Sequence, residues 1–172
     1  MIEKLMVFDF DGTLFKSPPP YRFYKGETAE WYRDSMSLNP PVVPSSPGEE
    51  WFFSDIVDLV RESSKCLKTY SVLMTGRRGD VGNFHSRIRE ILASQNLRFD
   101  EIYLKPKDMK TVEFKSGTIF TLAHNIEMRY GNLKEVHIFD DRHHHLPVFK
   151  KKLRLIKGEV ITHAVGVHNE SG

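Results

Sequence analysis

The residues Lys4-Leu5-Met6-Val7-Phe8-Asp9 form a short, nearly continuous apolar run that ends in Asp-Gly. The run lacks the polar alternation of a half-solvated strand, so it suits a parallel strand buried on both faces and feeding a turn. Tyr70 to Met74 repeats the pattern and ends at Thr75-Gly76-Arg77. Glu101 to Leu104 is a third run that stops before Pro106, and Val136-His137-Ile138-Phe139 is a fourth, ending in Asp140-Asp141. A fifth spans about Val160 to Val165. Between these runs the apolar spacing becomes helical: Phe52, Ile56, Leu59 and Val60; then Val81, Phe84, Ile88, Ile91 and Leu92; then Ile119, Leu122, Ala123, Ile126 and Tyr130, closed by Gly131 as a C-terminal cap. A short basic helix follows the fourth strand. Strands alternating with helices predict an α/β fold, a parallel sheet with helices on both faces.

One stretch carries neither period. Residues 16 to 50 hold Pro18, Pro19, Pro20, Pro40, Pro41, Pro44 and Pro47, which predict an irregular excursion with one short helical turn near Glu27 to Arg33. With 172 residues, 40% hydrophobic and 28% charged, the expectation is one domain over residues 1–172, interrupted by this proline-rich loop and stable without disulfides. The numbers argue against a two-domain enzyme, a long solenoid or a disordered linker. The lone Cys66 can form no internal disulfide and lies in an apolar-patterned stretch, so a buried thiol is expected. No run reaches the ~18 to 20 apolar residues of a membrane span, and Met1 to Phe10 does not read as a signal peptide. A soluble intracellular protein, cytoplasmic or nuclear, is the expectation, with no membrane partner.

The net charge of +2 does not by itself imply nucleic acid. The distribution adds a basic run, Lys150, Lys151, Lys152, Arg154 and Lys157, after His143, His144 and His145. The three histidines are expected to start a helix rather than bind a transition metal. Trp51 is expected to cover the core; Trp31 could equally pack or stack on a base.

Ligands of parallel α/β sheets bind at the carboxyl ends of the strands. Here those ends carry Asp9-Phe10-Asp11-Gly12-Thr13, Thr75-Gly76-Arg77, and Asp140-Asp141-Arg142, while Lys105, Lys107, Lys110 and Lys115 follow the third strand. Four carboxylates in one crevice repel unless a cation neutralises them, and an all-oxygen set points to Mg²⁺ rather than zinc. Asp9 and Asp11, two apart at a strand end, can divide nucleophilic attack and proton handling. Gly12 allows a tight turn, Thr13 offers a hydroxyl and an N–H, and Arg77 and a lysine can neutralise phosphoryl oxygens. Each motif alone has a bland reading as a turn, a calcium loop or a solvated surface; Leu14 and Phe15 exclude an EF-hand. The joint occurrence, in order and at strand ends, carries the weight.

Val7-Phe8-Asp9-Phe10-Asp11-Gly12-Thr13-Leu14, Thr75, Lys115 and Asp140-Asp141 resemble the four motifs of the haloacid dehalogenase (HAD) superfamily of phosphotransferases. The resemblance implies a Rossmann-like fold with five parallel strands in the order 5-4-1-2-3. It implies Asp9 as the nucleophile that forms an aspartyl-phosphate and Asp11 as general acid and base. Thr75 and Lys115 would hold the transferring phosphoryl group. Asp9, the backbone carbonyl of Asp11, and Asp140 or Asp141 would hold Mg²⁺. Phe15-Lys16-Ser17-Pro18-Pro19-Pro20, Met74-Thr75-Gly76-Arg77, Phe84, Arg87-Ile88, Leu104-Lys105-Pro106, Thr111, Phe114-Lys115 and Asp141-Arg142 with His145 and Phe149 are similar to one branch, the HAD domain of Swiss Army Knife RNA-repair proteins. The phosphatase half of phage polynucleotide kinase-phosphatase is similar too, through Gly76-Arg77 after the second motif and Asp140-Asp141-Arg142; this resemblance implies Arg77 as a substrate arginine and Arg22 as a plausible counterpart of a second one, and Gly12, Thr13, Gly76 and Arg142 complete the substrate-binding expectations.

The activity implied is a Mg²⁺-dependent phosphomonoesterase acting on nucleic-acid ends, the 3′-phosphate first, with a kinase or ligase as separate repair partners. A HAD phosphatase for a phosphoprotein or a small phosphorylated metabolite is the alternative. Only 63 residues separate Asp11 from Thr75, and 39 separate Thr75 from Lys115. Neither gap holds a cap domain once its helix and strand are counted, so an open, capless site that admits a polymer end is expected.

Overall fold

The computed structural model describes residues 1–166. Five parallel strands, β1 (Lys4–Phe8), β2 (Thr69–Arg78), β3 (Glu101–Lys105), β4 (Glu135–Asp140) and β5 (Glu159–Ala164), form one sheet in the order β3-β2-β1-β4-β5. Read from the other edge, this is the order expected. Helices α2 (Ser54–Lys65) and α3 (Phe84–Ala93) cover one face; α4 (Thr111–Tyr130) and α5 (Leu146–Lys152) cover the other.

The unbroken apolar run of β1 now has its reason. Met6 and Phe8 enter the core beneath α2 and α3, with Ile56, Val60, Phe84 and Ile88. Leu5 and Val7 enter the core beneath α4 and α5, with Ile119, Ala123, Val136 and Phe149. Successive side chains serve opposite layers, so no position is left for a polar residue. Phe8 is fully buried and stacks on Phe139 at 4.8 Å between centroids. Truncating it to Ala would cost about 3–5 kcal/mol.

Register sets up the chemistry. Phe8 pairs with Phe139 on one side and Leu73 on the other, and Asp9 N–H donates to the Phe139 carbonyl at 3.0 Å. In a parallel pair, the residues after Phe8 and Phe139 are neighbours, which brings Asp9 and Asp140 side by side as the strands end.

The proline-rich stretch is irregular but tightly docked. It contains α1 (Thr28–Trp31) and 3₁₀ turns at Ser35–Leu38 and Glu49–Trp51. Leu38 and Val43 are fully buried in the core under α2 and α3. Arg87 of α3 holds it down: its buried guanidinium donates to the carbonyls of Leu38 (2.7 Å), Ser45 (2.9 Å) and Pro44 (2.6 Å). Trp51 covers the core by stacking on Phe15, as expected. One expectation is corrected, and one open alternative is settled. Cys66 is exposed, because it caps α2 beyond Ser63, the last buried residue of that helix. Trp31 is buried and not free to stack on a base. No helix among the described residues is long and apolar enough to cross a membrane.

Candidate active site

A cavity of about 1470 Å³ opens at the carboxyl ends of the strands. Asp9, Asp11, Lys115 and Asp141 line its floor, and Lys16, Arg33, Arg78, Lys105, Lys110 and Arg142 stand around it. Pro18, Pro19, Thr28, Ala29 and Tyr32 form a wall from the proline-rich segment.

The turn after β1 is closed by Gly12, whose φ of +76° is a left-handed conformation that a side chain would strain. The Gly12 N–H donates to the Phe15 carbonyl at 2.9 Å. This turn buries Asp9 and brings the Thr13 hydroxyl to it, donating to Asp9 Oδ2 at 3.0 Å. Lys115 lies on the second turn of α4 rather than in the loop before it, and its ammonium is buried between two carboxylates. Lys115 Nζ is 2.8 Å from Asp9 Oδ1 and 2.8 Å from Asp140 Oδ2. The Arg142 N–H donates to Asp140 Oδ1 at 2.9 Å.

One ammonium faces three carboxylates, and the imbalance is legible in their titration. Burial opposes the Lys115 charge, but Asp140 and Asp9 outweigh it and hold the ammonium above its ordinary pKa. Asp140, though buried, is pulled down by Lys115 and the Arg142 N–H. Asp9 is pushed well above the carboxylate range by burial and by repulsion from Asp140. Burial also raises Asp141. Oxygens of Asp9, Asp140 and Asp141 lie within 4.8 Å of one another, so a divalent cation fits this set by charge and by donor type.

Asp11 faces a different partner. The Arg77 guanidinium grips it with Nε 2.9 Å from Oδ2 and Nη2 2.8 Å from Oδ1. Ser17 donates its hydroxyl to the same carboxylate. Arg77 Nη1 continues to Ser37 Oγ at 2.8 Å and the Tyr32 carbonyl at 3.2 Å, and its guanidinium lies 4.8 Å from the Phe84 ring centroid.

The expected site residues are therefore not all placed alike. Asp9, Asp11, Gly12, Gly76, Arg77, Lys115, Asp141 and Arg142 line the cavity. Thr13, Thr75 and Asp140 are buried beside the lining, Thr75 with its hydroxyl accepting from the Arg77 N–H at 3.1 Å. Gly76 gives room for α4: a Cβ there would meet Thr111 Oγ1 at 2.8 Å. Arg22 does not line the cavity; its guanidinium sits 5.5 Å over the exposed Phe23 ring. Lys107 does not line it, and neither does the basic run from Lys150, which begins in the last turn of α5 and continues past it. His143 to His145 form a 3₁₀ turn leading into α5, as expected. Sequence reading missed the wall residues Tyr32 and Arg33 and the Ser37 anchor of Arg77, none of which carries a motif.

Residues 22–169 match the sequence profile of HAD domain family 1 in Swiss Army Knife RNA repair proteins. That stretch includes Thr75, Lys115 and Asp140, while Asp9 to Thr13 precede it. The uncharacterized protein YMR265C of Saccharomyces cerevisiae is 30% identical over 87% of this chain, and the match covers 36% of its own length. This chain thus spans about a third of that relative. A chain in the structure of a Pnkp1/Rnl/Hen1 complex superposes with a TM-score of 0.56 at 14% identity, over 96% of this chain and 47% of that one. The HAD domain of the effector Lem4 from Legionella pneumophila, solved as an inactive mutant, superposes with a TM-score of 0.55 at 13% identity, over 99% and 89%. Both likenesses are of fold.

Proposed function

The chain belongs to HAD domain family 1 of the Swiss Army Knife RNA repair proteins, and from that membership we propose that it is a Mg²⁺-dependent phosphomonoesterase that removes terminal phosphates, the 3′-phosphate first, from nucleic-acid ends. The observation that carries the reading is the charge of the cavity lining: buried Asp9 and half-buried Asp141 share it with Lys16, Arg33, Arg78, Lys105, Lys110 and Arg142, cations that outnumber the one further exposed acid, Asp108. The carboxylates suit a cation, and the basic residues suit a polyanion. Residues 1–172 act as one phosphatase domain in this reading, with the 16–50 segment as a partial wall. A kinase or ligase activity would act beside it in repair, inside the cell.

Asp9 attacks phosphorus with one carboxylate oxygen. The new O–P bond forms as the bond to the ribose oxygen breaks, and Asp11 gives that oxygen its proton. Water then attacks the aspartyl-phosphate, Asp11 takes the water's proton, and inorganic phosphate leaves. Lys115 holds Asp9 in place and neutralises phosphoryl charge, and Thr13 fixes the second Asp9 oxygen. Asp9, Asp141, Asp140 and the Asp11 carbonyl are the groups that would hold Mg²⁺, which when bound supplies the positive charge that the floor lacks. Arg77 holds the Asp11 carboxylate through both of its oxygens. The pair therefore presets the carboxylate and ties its position to the wall at Tyr32 and Ser37.

A panel of 3′-phosphorylated and 5′-phosphorylated RNA and DNA, nucleotides and phosphopeptides tests the reading. Phosphate release is expected to be fastest from 3′-phosphorylated oligonucleotides and to weaken with salt. Release from phosphopeptides or metabolites alone would overturn it in favour of the alternative phosphatase class.

A further inference from the structure

We propose that Phe23 and Tyr21 form a stacking platform for bases of the single strand whose terminal phosphate enters the cavity; this rests on the nucleic-acid reading above. The sequence Tyr21-Arg22-Phe23-Tyr24-Lys25 interleaves three aromatic rings with two cations, the composition that tracks a single strand by stacking and charge.

The structure gives these rings a foundation. Trp31 is fully buried yet belongs to neither of the two cores that flank the sheet. Tyr21 and Tyr24 pack edge-on against it, at 5.7 Å and 5.2 Å between centroids, and against each other at 5.6 Å. The Trp31 indole N–H donates to the Pro18 carbonyl at 2.9 Å. The result is a separate aromatic cluster that fixes a segment otherwise free of helix or strand.

What the cluster fixes is left to solvent. Phe23 is 76% exposed and Tyr21 is 49% exposed. Lone exposed aromatics are ordinary on protein surfaces. These two lie two residues apart, Phe23 is overlaid by the Arg22 guanidinium, and the segment that carries them is fixed on either side of Phe23 by Tyr21 and Tyr24 against Trp31. Arg22, which does not reach the cavity, would act here by cation–π contact instead.

The platform and the cavity share a wall. Thr28 and Ala29 of α1, with Tyr32 and Arg33 just after it, line the cavity, while Trp31 in the same turn anchors Tyr21 and Tyr24. Pro18 joins both, lining the cavity and accepting from Trp31. A strand leaving the cavity over this wall would meet flat rings and positive charge. Because every base has a π-face, the platform should be tolerant of sequence and accept RNA and DNA alike.

The test measures binding of short 3′-phosphorylated RNA and DNA by anisotropy in the turnover-blocked Asp9→Asn protein, against an abasic strand with the same phosphates and against a phosphopeptide. Base-bearing strands should bind about tenfold tighter than the abasic strand. Phe23→Ala should collapse that ratio toward one, and Phe23→Trp should keep it. Tyr21→Ala should reduce it with a cost in stability, since that ring also packs on Trp31. A ratio of one in the parent, a ratio indifferent to Phe23→Ala, or tighter binding of the phosphopeptide would overturn the platform. Phosphate release by the native enzyme separates the two readings. Release from oligonucleotides with no base-dependent affinity sinks the platform alone; base-dependent affinity with no release sinks the phosphatase reading alone.

Discussion

Arg77 grips Asp11 through both carboxylate oxygens, at 2.9 Å and 2.8 Å, while its third nitrogen reaches Ser37 and the Tyr32 carbonyl. A residue of the second strand end thereby aligns the proposed acid and base with a segment some 40 residues away in sequence. Arg77→Lys keeps the charge but cannot reproduce the fork. It should lower kcat about 10²-fold, as misplacement of a catalytic group does, with the fold retained. Steady-state kinetics beside a thermal melt checks this; kcat near the native value would show that Asp11 does not depend on Arg77 for its position.

Lys115 is the buried cation shared by Asp9 and Asp140. Lys115→Met leaves those carboxylates facing each other unpaired, and should destabilise the protein by about 3–5 kcal/mol. Added Mg²⁺ should recover part of that loss, because binding to the folded state alone stabilises it. Urea unfolding with and without the metal measures both effects.

Asp140 is bonded to Lys115 and to the Arg142 N–H, whereas Asp141 lines the cavity. The two neighbours should therefore fail differently. Asp141→Asn should raise the Mg²⁺ concentration for half-maximal activity by about 10- to 100-fold with little change in melting temperature. Asp140→Asn should lower the melting temperature by loosening Lys115. A metal titration and a melt of each variant distinguish the roles.

Burial holds His145 down at about pKa 4, below its ordinary 6.5. Its Nδ1 is buried with no hydrogen-bond partner among the described residues. The unfolded chain then binds the extra proton first, so the contribution of a neutral His145 is complete above pH 6.5 and is lost as pH falls toward 4. His145→Gln should make stability less sensitive to pH across this window. Equal slopes for both proteins in denaturant titrations between pH ~7 and ~5 would contradict the assignment.

The sheet was legible because β1, β2 and β4 are buried on both faces and so carry continuous apolar runs. The candidate floor was legible because its residues stand where those runs stop. Lys115 was found through its motif, although its place on α4 was not, since the apolar spacing of that helix becomes clear only from Ile119. The proline-rich segment was opaque for a physical reason. Its hold on the fold comes from Arg87 and Arg77, which reach carbonyls and hydroxyls 40 to 49 residues away, and such contacts leave no local period. The same opacity left the role of Trp31 open. Charge was a weak guide: Lys107 after the third strand and the run from Lys150 to Lys157 both lie outside the cavity lining.

The central claim is that Asp9 performs metal-dependent phosphate release from a nucleic-acid end. Phosphate freed from a 3′-phosphorylated single-stranded RNA should be measured for the native protein with Mg²⁺, the native protein in excess chelator, and Asp9→Asn with Mg²⁺, with circular dichroism confirming the fold of each. The account predicts release in the first case and none in the other two. Undiminished release by Asp9→Asn or in chelator, or no release by the native protein with Mg²⁺, would contradict it.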